Sequence, residues 1–241
     1  MVRSTSFVCK ALGVLWQLEV AQALGQFALE DAGVRAFRLH GSVTDPSRID
    51  RWSDVDALVE SSQPLQLQDW LHGFGEIWTF QFQGTTDDSH VCRVVLVDGR
   101  RIDLTVCGPE PRPPNSTVCP SLRSIRFDAA LAAVKLGRGD RLIGTHLALE
   151  VARATLVLAM QLRDRDMGTA LHRSGSSYDD VAGEVAELIT RSTDPRDWLP
   201  PLTALINRVH GALHPDEMTE DVNARWRPLR ILLGGESGPE H

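Results

Sequence analysis

The spacing of apolar and polar residues divides the chain into a mixed first part and a helical second part. In the first part, period-two alternation predicts strands, a longer period predicts helices, and the two kinds of element follow one another. The helices are predicted over 7–29 and 64–72, and the strands over 34–40, 54–60, 77–82, 91–97 and 101–107. This order favours an α/β (α+β) fold in which helices pack on a mixed sheet of about five strands.

The second part shows only helical periodicity, which predicts a C-terminal bundle of four or five helices. The helices are predicted over 121–136, 142–165, 178–191, 197–213 and 215–233. Pro200 and Pro201 are expected to delay or kink the fourth. Five of the thirteen prolines lie in 108–120, and this predicts an extended linker because proline fixes φ and removes a backbone donor. We therefore predict an N-terminal domain over 1–110 and a helical domain over 120–235.

Composition and charge narrow the class of protein. The 241 residues include 32 acidic and 25 basic ones, which gives a net charge of −7. Proteins that coat nucleic acid usually carry an excess of Lys and Arg, so we expect no nucleic-acid partner. The acidic balance suits a cationic small molecule, and it suits ordinary solubility equally well. Neither a signal peptide nor a window of about eighteen apolar residues is recognisable, so we expect a cytoplasmic protein without a membrane span.

Zinc chemistry is not predicted from the sequence. No two of the four cysteines have CxxC spacing, which argues against a zinc knuckle or a redox dithiol and favours reduced thiols. The stretch HPDE at 214–217 could suggest a metal site. Its early proline and its acids are more typical of the first turn of a helix, so we interpret it as a helix start.

Three carboxylates and a Gly-Ser turn carry the candidate chemistry. Asp54 and Asp56 lie two apart on a predicted strand, so both side chains point to the same face. Asp103 lies among apolar residues on a later strand, where a charge is costly unless it is paired or binds a metal. Carboxylates that converge at a sheet edge repel one another, and a hard cation such as Mg²⁺ would stabilise them. Gly41 permits close backbone approach to a ligand, and the Ser42 hydroxyl can hold a phosphate.

Each of these motifs alone is common in loops and at solvated strand ends, but together they match a known arrangement. The segment AFRLHGSV…SDVDALVE…LVDGRRIDLTV resembles the nucleotidyltransferase superfamily typified by DNA polymerase beta. Within it, the segment is most similar to the aminoglycoside 6-adenylyltransferases, the streptomycin adenylyltransferase family. A hairpin close to DGxRIDLT is the most discriminating part. The resemblance covers about 34–107 and continues weakly into the helices that contain FDAALAAVKLGRGD and HLALEVARATLVLAMQ.

The resemblance implies an enzyme that transfers AMP from ATP to a hydroxyl of an aminoglycoside antibiotic, a cationic acceptor, and releases pyrophosphate. ATP would be the co-substrate and two Mg²⁺ ions the cofactors. Asp54 and Asp56 would bind Mg²⁺, and Asp103 would either complete the metal site or accept the hydroxyl proton.

The resemblance also implies roles in nucleotide and acceptor binding. Gly41 and Ser42 would hold the triphosphate. Lys135, on the first helix of the bundle, would contact the phosphates, although an exposed helix lysine is an equally good interpretation. Glu150 and Asp140 are our candidates for recognising the ammonium groups of the acceptor, and a surface salt-bridge row is the simpler interpretation of Glu150. The helical domain would then lie on the acceptor-substrate side.

Other acceptors and roles stay open at this stage. The same chemistry could serve a lincosamide or another small hydroxylated molecule, or a protein or RNA as in toxin–antitoxin systems, and another nucleoside triphosphate could replace ATP. Arg101, beside Asp103, is either a phosphate contact or a solvated hairpin charge. Three semi-buried acids argue against a non-catalytic binding module. We expect a monomer or a homodimer.

Overall fold

A computed structural model describes residues 15–86, 88–116, 118–168, 176–217 and 222–234. These residues form two compact units that divide between 116 and 118, and we call them the sheet unit and the helical unit. The sheet unit contains α1 (Leu15–Glu30), β1 (Val34–His40), β2 (Val55–Ser61), α2 (Leu67–His72), β3 (Ile77–Thr86), β4 (Ser89–Leu96) and β5 (Arg101–Cys107). The helical unit contains α3 (Pro120–Gly137), α4 (Arg141–Met167), α5 (Asp179–Arg191), α6 (Pro195–Leu213), α7 (Val222–Arg225) and α8 (Arg227–Leu233).

The five strands form one mixed sheet in the order β1-β2-β5-β4-β3. β3, β4 and β5 follow one another as antiparallel neighbours, and β1 pairs antiparallel with β2. The two groups join through β2 and β5, which run parallel. The predicted α/β (α+β) class with a mixed sheet of about five strands is confirmed. The first predicted helix is described only from residue 15, and its predicted start lies outside the described residues.

Period-two alternation explains why one face of the sheet is covered and the other carries polar groups. In β2, Val55, Ala57 and Val59 are fully buried, whereas Asp56 and Glu60 on the opposite face are partly exposed. The buried residues belong to one hydrophobic core that also contains apolar side chains of α1 and α2. The carboxylate-bearing face is therefore the one turned away from this core.

The proline-rich segment is extended, as expected, but it belongs to the sheet unit. The Arg112 amide donates to the carbonyl oxygen of Leu65 at 2.9 Å, and the Leu67 amide donates to the carbonyl oxygen of Arg112 at 3.3 Å. Pro111 and Pro114 are buried. The segment is thus attached to the chain around the start of α2 for part of its length, rather than running as a free linker.

The helical unit is built on close packing of α3 against α4. A Cβ placed on Gly144 of α4 would lie 2.7 Å from Leu136 Cγ of α3, so glycine permits this approach of the two helices. α6 begins at Pro195 and contains Pro200 and Pro201, so of the expected delay or kink the delay is wrong and the kink stays a prediction. The start is fixed upstream, because the Asp194 side chain caps the helix by accepting from the Arg196 amide at 3.0 Å.

The last predicted helix, over 215–233, is not continuous. Pro215–Glu217 forms a single 3-10 turn, and the chain is described again from Val222 as the short helices α7 and α8. The break between them lies at Trp226, whose ψ of 11° departs from helical geometry. Pro228 occupies the first turn of α8, where its missing amide proton costs no helical hydrogen bond, so the helix restarts there.

Among the described residues, α4 is the one helix whose length and composition would allow it to cross a membrane. Our expectation that no window approaches such a span was too strict for this helix. A core helix of a globular protein meets the same criterion, and α4 packs against α3, α5 and α6 with Ala148, Val151 and Leu158 buried. One such helix is therefore weak evidence of a membrane segment.

The backbone at the end of β5 yields a stability prediction. Gly108 has a φ of +136°, and a Cβ there would lie well inside van der Waals contact with the Ser61 carbonyl oxygen. Gly75 has a φ of +137°, but a Cβ there would meet Arg100 Nη2 at an ordinary 3.5 Å. We expect Gly108→Ala to lower the unfolding free energy by ~2–4 kcal/mol and Gly75→Ala by ~1 kcal/mol, because only the first adds a clash to the shared strain. Urea unfolding tests this, and equal losses would contradict it.

Candidate active site

A row of polar side chains crosses the whole sheet at the level of the predicted acids. The strand register pairs His40 of β1 with Asp56 of β2, and Asp56 with Asp103 of β5. It then pairs Asp103 with Arg93 of β4, and Arg93 with Gln81 of β3. Directly paired residues in a sheet point to the same face. The row therefore gathers five polar groups on one surface.

The structure brings the three predicted carboxylates together. One oxygen from each of Asp54, Asp56 and Asp103 lies within 4.8 Å of the other two, and all three residues are partly exposed. A cluster of carboxylate oxygens open to solvent has the donor chemistry that suits a hard divalent cation such as Mg²⁺. Asp56 and Asp103 meet because their strands pair in parallel, and Asp54 joins them from the turn before β2.

The turn that presents Asp54 is held by its own side chains. The Asp50 carboxylate accepts from the Trp52 amide at 2.8 Å and from the Ser53 hydroxyl at 3.0 Å. The side-chain amide of Gln17, which is fully buried on α1, donates to the Asp50 carbonyl oxygen at 3.2 Å. The position of Asp54 is therefore tied to the helix that covers the sheet.

Arg101 supports the same turn from β5. Its guanidinium donates to the Trp52 carbonyl oxygen, and its Nη1 lies 3.9 Å from Asp54 Oδ2. The residue is buried, so its interpretation as a solvated hairpin charge is wrong, and a phosphate contact stays a prediction. Arg101 is thus a positioning residue that fixes the turn and places positive charge behind the carboxylates.

Arg93 is a site residue that sequence reasoning missed. Its Nε donates to Asp103 Oδ2 at 3.2 Å, and its Nη1 donates to Gln81 Oε1 at 2.8 Å. The signal was available, because a hairpin closed at Asp98-Gly99 places residue 93 opposite residue 103. The ion pair orients the Asp103 carboxylate and offsets part of its charge.

The environment of Asp103 raises its pKa to about 7. Burial is the largest cause, because it disfavours the charged form, and repulsion by Asp54 comes next. The attraction of Arg93 acts against these effects, Asp56 adds further repulsion, and Arg101 adds further attraction. Such a balance of like charges is one that a bound cation would relieve.

The Gly-Ser turn lies against this cluster. Gly41 has a φ of +68°, and a Cβ there would lie well inside van der Waals contact with Asp56 Oδ2. The positive φ and the close approach of the Asp56 carboxylate both favour glycine at this position. The hydroxyl oxygen of Ser42 is buried and has no hydrogen-bond partner among the described residues. A buried hydroxyl without a partner costs free energy, so the turn fits a ligand with acceptor oxygens, as a phosphate has.

The predicted residues of the bundle all lie in the helical unit and already have partners within it. Lys135 Nζ lies 3.9 Å from Asp140 Oδ2, and Asp140 Oδ1 also caps α4 by accepting from the Ile143 amide at 3.3 Å. Glu150 Oε2 accepts from Arg153 Nε at 2.7 Å. The Arg153 pair agrees with the salt-bridge interpretation of Glu150, Lys135 is a helix lysine with an ion-pair partner of its own, and the proposed binding roles stay predictions.

Asp128 of α3 is a second residue that sequence reasoning missed. Its pKa is raised, chiefly by burial and next by the neighbouring Glu150, whereas Arg153 and His146 lower it. The repulsion between Asp128 and Glu150 is one that a nearby cation would offset, as Arg153 and His146 already do in part. The signal was an acid in the otherwise apolar run FDAALAA.

The raised pKa of Asp103 predicts how stability depends on pH. Between its ordinary value of 3.8 and about 7, the folded protein binds this proton and the unfolded chain does not, so the unfolding free energy falls as pH rises through this window. We expect Asp103→Asn to abolish that fall. The unfolding free energy of the variant, relative to that of the native protein, should then be ~2–4 kcal/mol higher at pH ~8 than at pH ~4. Urea unfolding at both pH values measures it, with the exposed Asp69→Asn as control. A pH dependence in Asp103→Asn that parallels the native protein would refute it.

Comparisons with known proteins bear on the same region. The family model described as "Streptomycin adenylyltransferase" matches residues 17–118, and no curated protein sequence matches the chain. One similar solved structure is an aminoglycoside 6-adenyltransferase from Bacillus subtilis, with 13% identity over 90% of this chain and 97% of that one and a TM-score of 0.34. Another is a STING-associated CdnE c-di-GMP synthase from Capnocytophaga granulosa, with 12% identity over 92% of this chain and 79% of that one and a TM-score of 0.27.

The family match decides the assignment, because both structural similarities are distant. It spans all five strands, the Gly-Ser turn and the three carboxylates. The family resemblance and the prediction of a nucleotidyltransferase enzyme are confirmed. Residues 17–118 of this chain are therefore a nucleotidyltransferase domain of the streptomycin adenylyltransferase family.

Proposed function

We propose that the protein is a Mg²⁺-dependent adenylyltransferase that transfers AMP from ATP to a hydroxyl of an aminoglycoside. The observation that carries this proposal is the meeting of Asp54, Asp56 and Asp103 within 4.8 Å in a domain of this family. Substitution at a phosphorus centre depends mainly on positioning and on neutralising charge. A carboxylate cluster beside a turn suited to phosphate supports both requirements.

In this proposal Asp54 and Asp56 hold Mg²⁺, which would supply positive charge against the triphosphate oxygens. Asp103 accepts the proton of the acceptor hydroxyl. Arg93 engages its Oδ2 at 3.2 Å, so we assign the proton to Oδ1. Burial and the neighbouring carboxylates raise the pKa of this group, which makes it a stronger proton acceptor than an ordinary aspartate.

The acceptor hydroxyl oxygen forms a bond to the α-phosphorus of ATP while the bond from that phosphorus to the bridging oxygen of the β-phosphate breaks. Pyrophosphate leaves with the electrons of that bond, and the hydroxyl proton moves to Asp103. The products are the adenylylated acceptor and pyrophosphate.

We assign the triphosphate to Gly41 and Ser42. The glycine lets the ligand approach the backbone beside Asp56, and the buried Ser42 hydroxyl gains the acceptor that it lacks among the described residues. Lys135 is assigned to the phosphates as a point charge, and it would exchange its 3.9 Å pairing with Asp140 for them.

For the acceptor we propose the acids of the helical unit, Glu150 and Asp140, and we add Asp128. The mutual repulsion of Asp128 and Glu150 makes an ammonium group between them favourable, because it neutralises two partly buried charges at once. Glu150 would share its carboxylate between this group and Arg153, its partner at 2.7 Å.

Release of pyrophosphate from ATP and Mg²⁺ in the presence of aminoglycosides and lincosamides tests the function. We expect release with aminoglycosides, its loss in excess EDTA, and a kcat about 10²–10⁴-fold lower in Asp103→Asn because the proton acceptor is gone. Asp69→Asn, at an exposed position of α2, should retain full activity.

The remaining outcomes separate the parts of the proposal. Release with lincosamides alone would keep nucleotidyl transfer and replace the acceptor, and release with no member of the panel would remove an antibiotic acceptor. Undiminished activity of Asp103→Asn would refute the assigned mechanism.

A separate prediction concerns the acceptor site. We expect Asp128→Asn to raise the KM of the aminoglycoside by about 10-fold, the equivalent of one lost charge-assisted contact, and to leave the KM of ATP unchanged. Asp180→Asn, an exposed acid in the first turn of α5, is the matched control. An unchanged acceptor KM, or an equal rise in both constants, would show that Asp128 does not bind the acceptor.

A further inference from the structure

A group of potential metal ligands of different chemistry lies in the helical unit. One ligand atom from each of Cys119, His210 and His214 lies within 4.8 Å of the other two. Glu217 adds a carboxylate, with Oε2 at 3.7 Å from His210 Nε2 and Oε1 at 4.0 Å from His214 Nδ1. Three groups of the types that bind zinc therefore lie within reach of one ion, and Glu217 lies beside two of them.

The fold assembles these groups from three elements. Cys119 immediately precedes α3 and is its N-cap residue. His210 lies in the last turn of α6, and the His214 amide donates to the His210 carbonyl oxygen at 2.8 Å, which keeps the two imidazoles one helical turn apart. Glu217 ends the following 3-10 turn, where its amide donates to the His214 carbonyl oxygen at 3.1 Å. The His-x₃-His spacing is one that structural zinc sites use.

The distances are close to those of a tetrahedral site. With Zn–S of about 2.3 Å and Zn–N and Zn–O of about 2.0–2.2 Å, neighbouring ligand atoms would be roughly 3.3–3.6 Å apart. Cys119 Sγ lies 3.4 Å from His210 Nε2, and the two carboxylate contacts are 3.7 and 4.0 Å. The two carboxylate contacts involve different oxygens, so Glu217 would have to turn one oxygen toward the ion to complete a tetrahedral site.

The protein contacts alone leave His210 weakly partnered. Its side chain is fully buried, Nε2 makes only the long contacts to sulfur and carboxylate, and Nδ1 has no hydrogen-bond partner among the described residues. A buried imidazole normally makes strong polar contacts, and a metal on Nε2 would supply one. The side chains of His214 and Glu217 are 39% and 32% exposed, so an ion can reach the site from solvent.

The donor set and its charge select the metal. A thiolate, two imidazoles and one carboxylate form a borderline set that suits Zn²⁺, whereas Mg²⁺ prefers oxygen ligands throughout. The thiolate and the carboxylate together neutralise a divalent ion. The two anionic ligands are needed because Arg126 and Arg225 also place positive charge near His210, which would repel a cation.

We propose that the helical unit binds one Zn²⁺ through Cys119, His210, His214 and Glu217, and that this ion ties the start of α3 to the end of α6. The inference does not rest on adenylyl transfer. It predicts that metal binding stabilises the folded protein, because the four ligands come together only in that state.

Cobalt substitution tests the site directly. Full-length protein without a histidine tag is reduced, freed of metal with EDTA and titrated with Co²⁺ in millimolar Mg²⁺, which occupies oxygen-only sites. We expect one equivalent of tetrahedral Co²⁺ with intense visible bands and a sulfur-to-cobalt charge-transfer band, both bleached by one equivalent of Zn²⁺. A titration without the sulfur band would overturn the proposal.

Variants assign the ligands. We expect Cys119→Ser to abolish the sulfur band, and His214→Gln, at a partly exposed position, to weaken Co²⁺ binding by at least about 10-fold. The controls Cys107→Ser and His72→Gln, in the sheet unit, should leave the sulfur band and the affinity for Co²⁺ unchanged. A band that survives in Cys119→Ser, or disappears in Cys107→Ser, would contradict the assignment, and His214→Gln keeps the test valid if Cys119→Ser fails to fold.

A stability measurement gives a second readout. At free Zn²⁺ of about 100 times Kd, we expect the melting temperature of the native protein to rise by roughly 5–10 °C. The same addition should have no effect on Cys119→Ser. An equal rise in both proteins would place the stabilising ion elsewhere and refute the proposed Zn²⁺ site.

Discussion

The parallel pairing of β2 with β5 is the constraint on which the candidate active site depends. It places Asp56 directly beside Asp103, although like charges opposite one another destabilise a sheet. The surrounding residues offset this repulsion. Arg93 pairs with Asp103 from the next strand, and the buried Arg101 lies 3.9 Å from Asp54. The sheet therefore holds negative charge at one point by surrounding it with fixed positive charge.

This arrangement exchanges stability for reactivity. Burial and the neighbouring carboxylates raise the pKa of Asp103 to about 7, and the free energy lost when it ionises is a cost that the folded chain bears without a cation. Gly41 contributes to the same cost, because glycine gives up more chain entropy on folding than any other residue. Concentrated charge of this kind is typical of active sites, where a bound ligand recovers the lost free energy.

Much of the sheet unit could be predicted from the sequence, because its signals are local. Period-two alternation gives all five strands to within a few residues, and Asp98-Gly99 gives the hairpin that aligns Arg93 with Asp103. The parallel pairing could not be derived in this way, since the segments that join β2 to β5 determine it and no local pattern reports it. Arg101 shows the same limit: only the packed turn at Trp52 accounts for its burial.

The helical unit shows where local signals end. Periodicity located α3 to α6 but not the break between α7 and α8. It also could not say which helix faces meet, and Asp128 and Glu150 are neighbours only through the packing of α3 on α4. Cys119 and His210 are 91 positions apart in the chain. A motif search that requires CxxC spacing rejects such a pair, because it assumes that ligands lie close in sequence. Thiol, imidazole and carboxylate donors from three separate elements give the same donor chemistry when the fold supplies the proximity, so geometry rather than spacing is the evidence that identifies a metal site here.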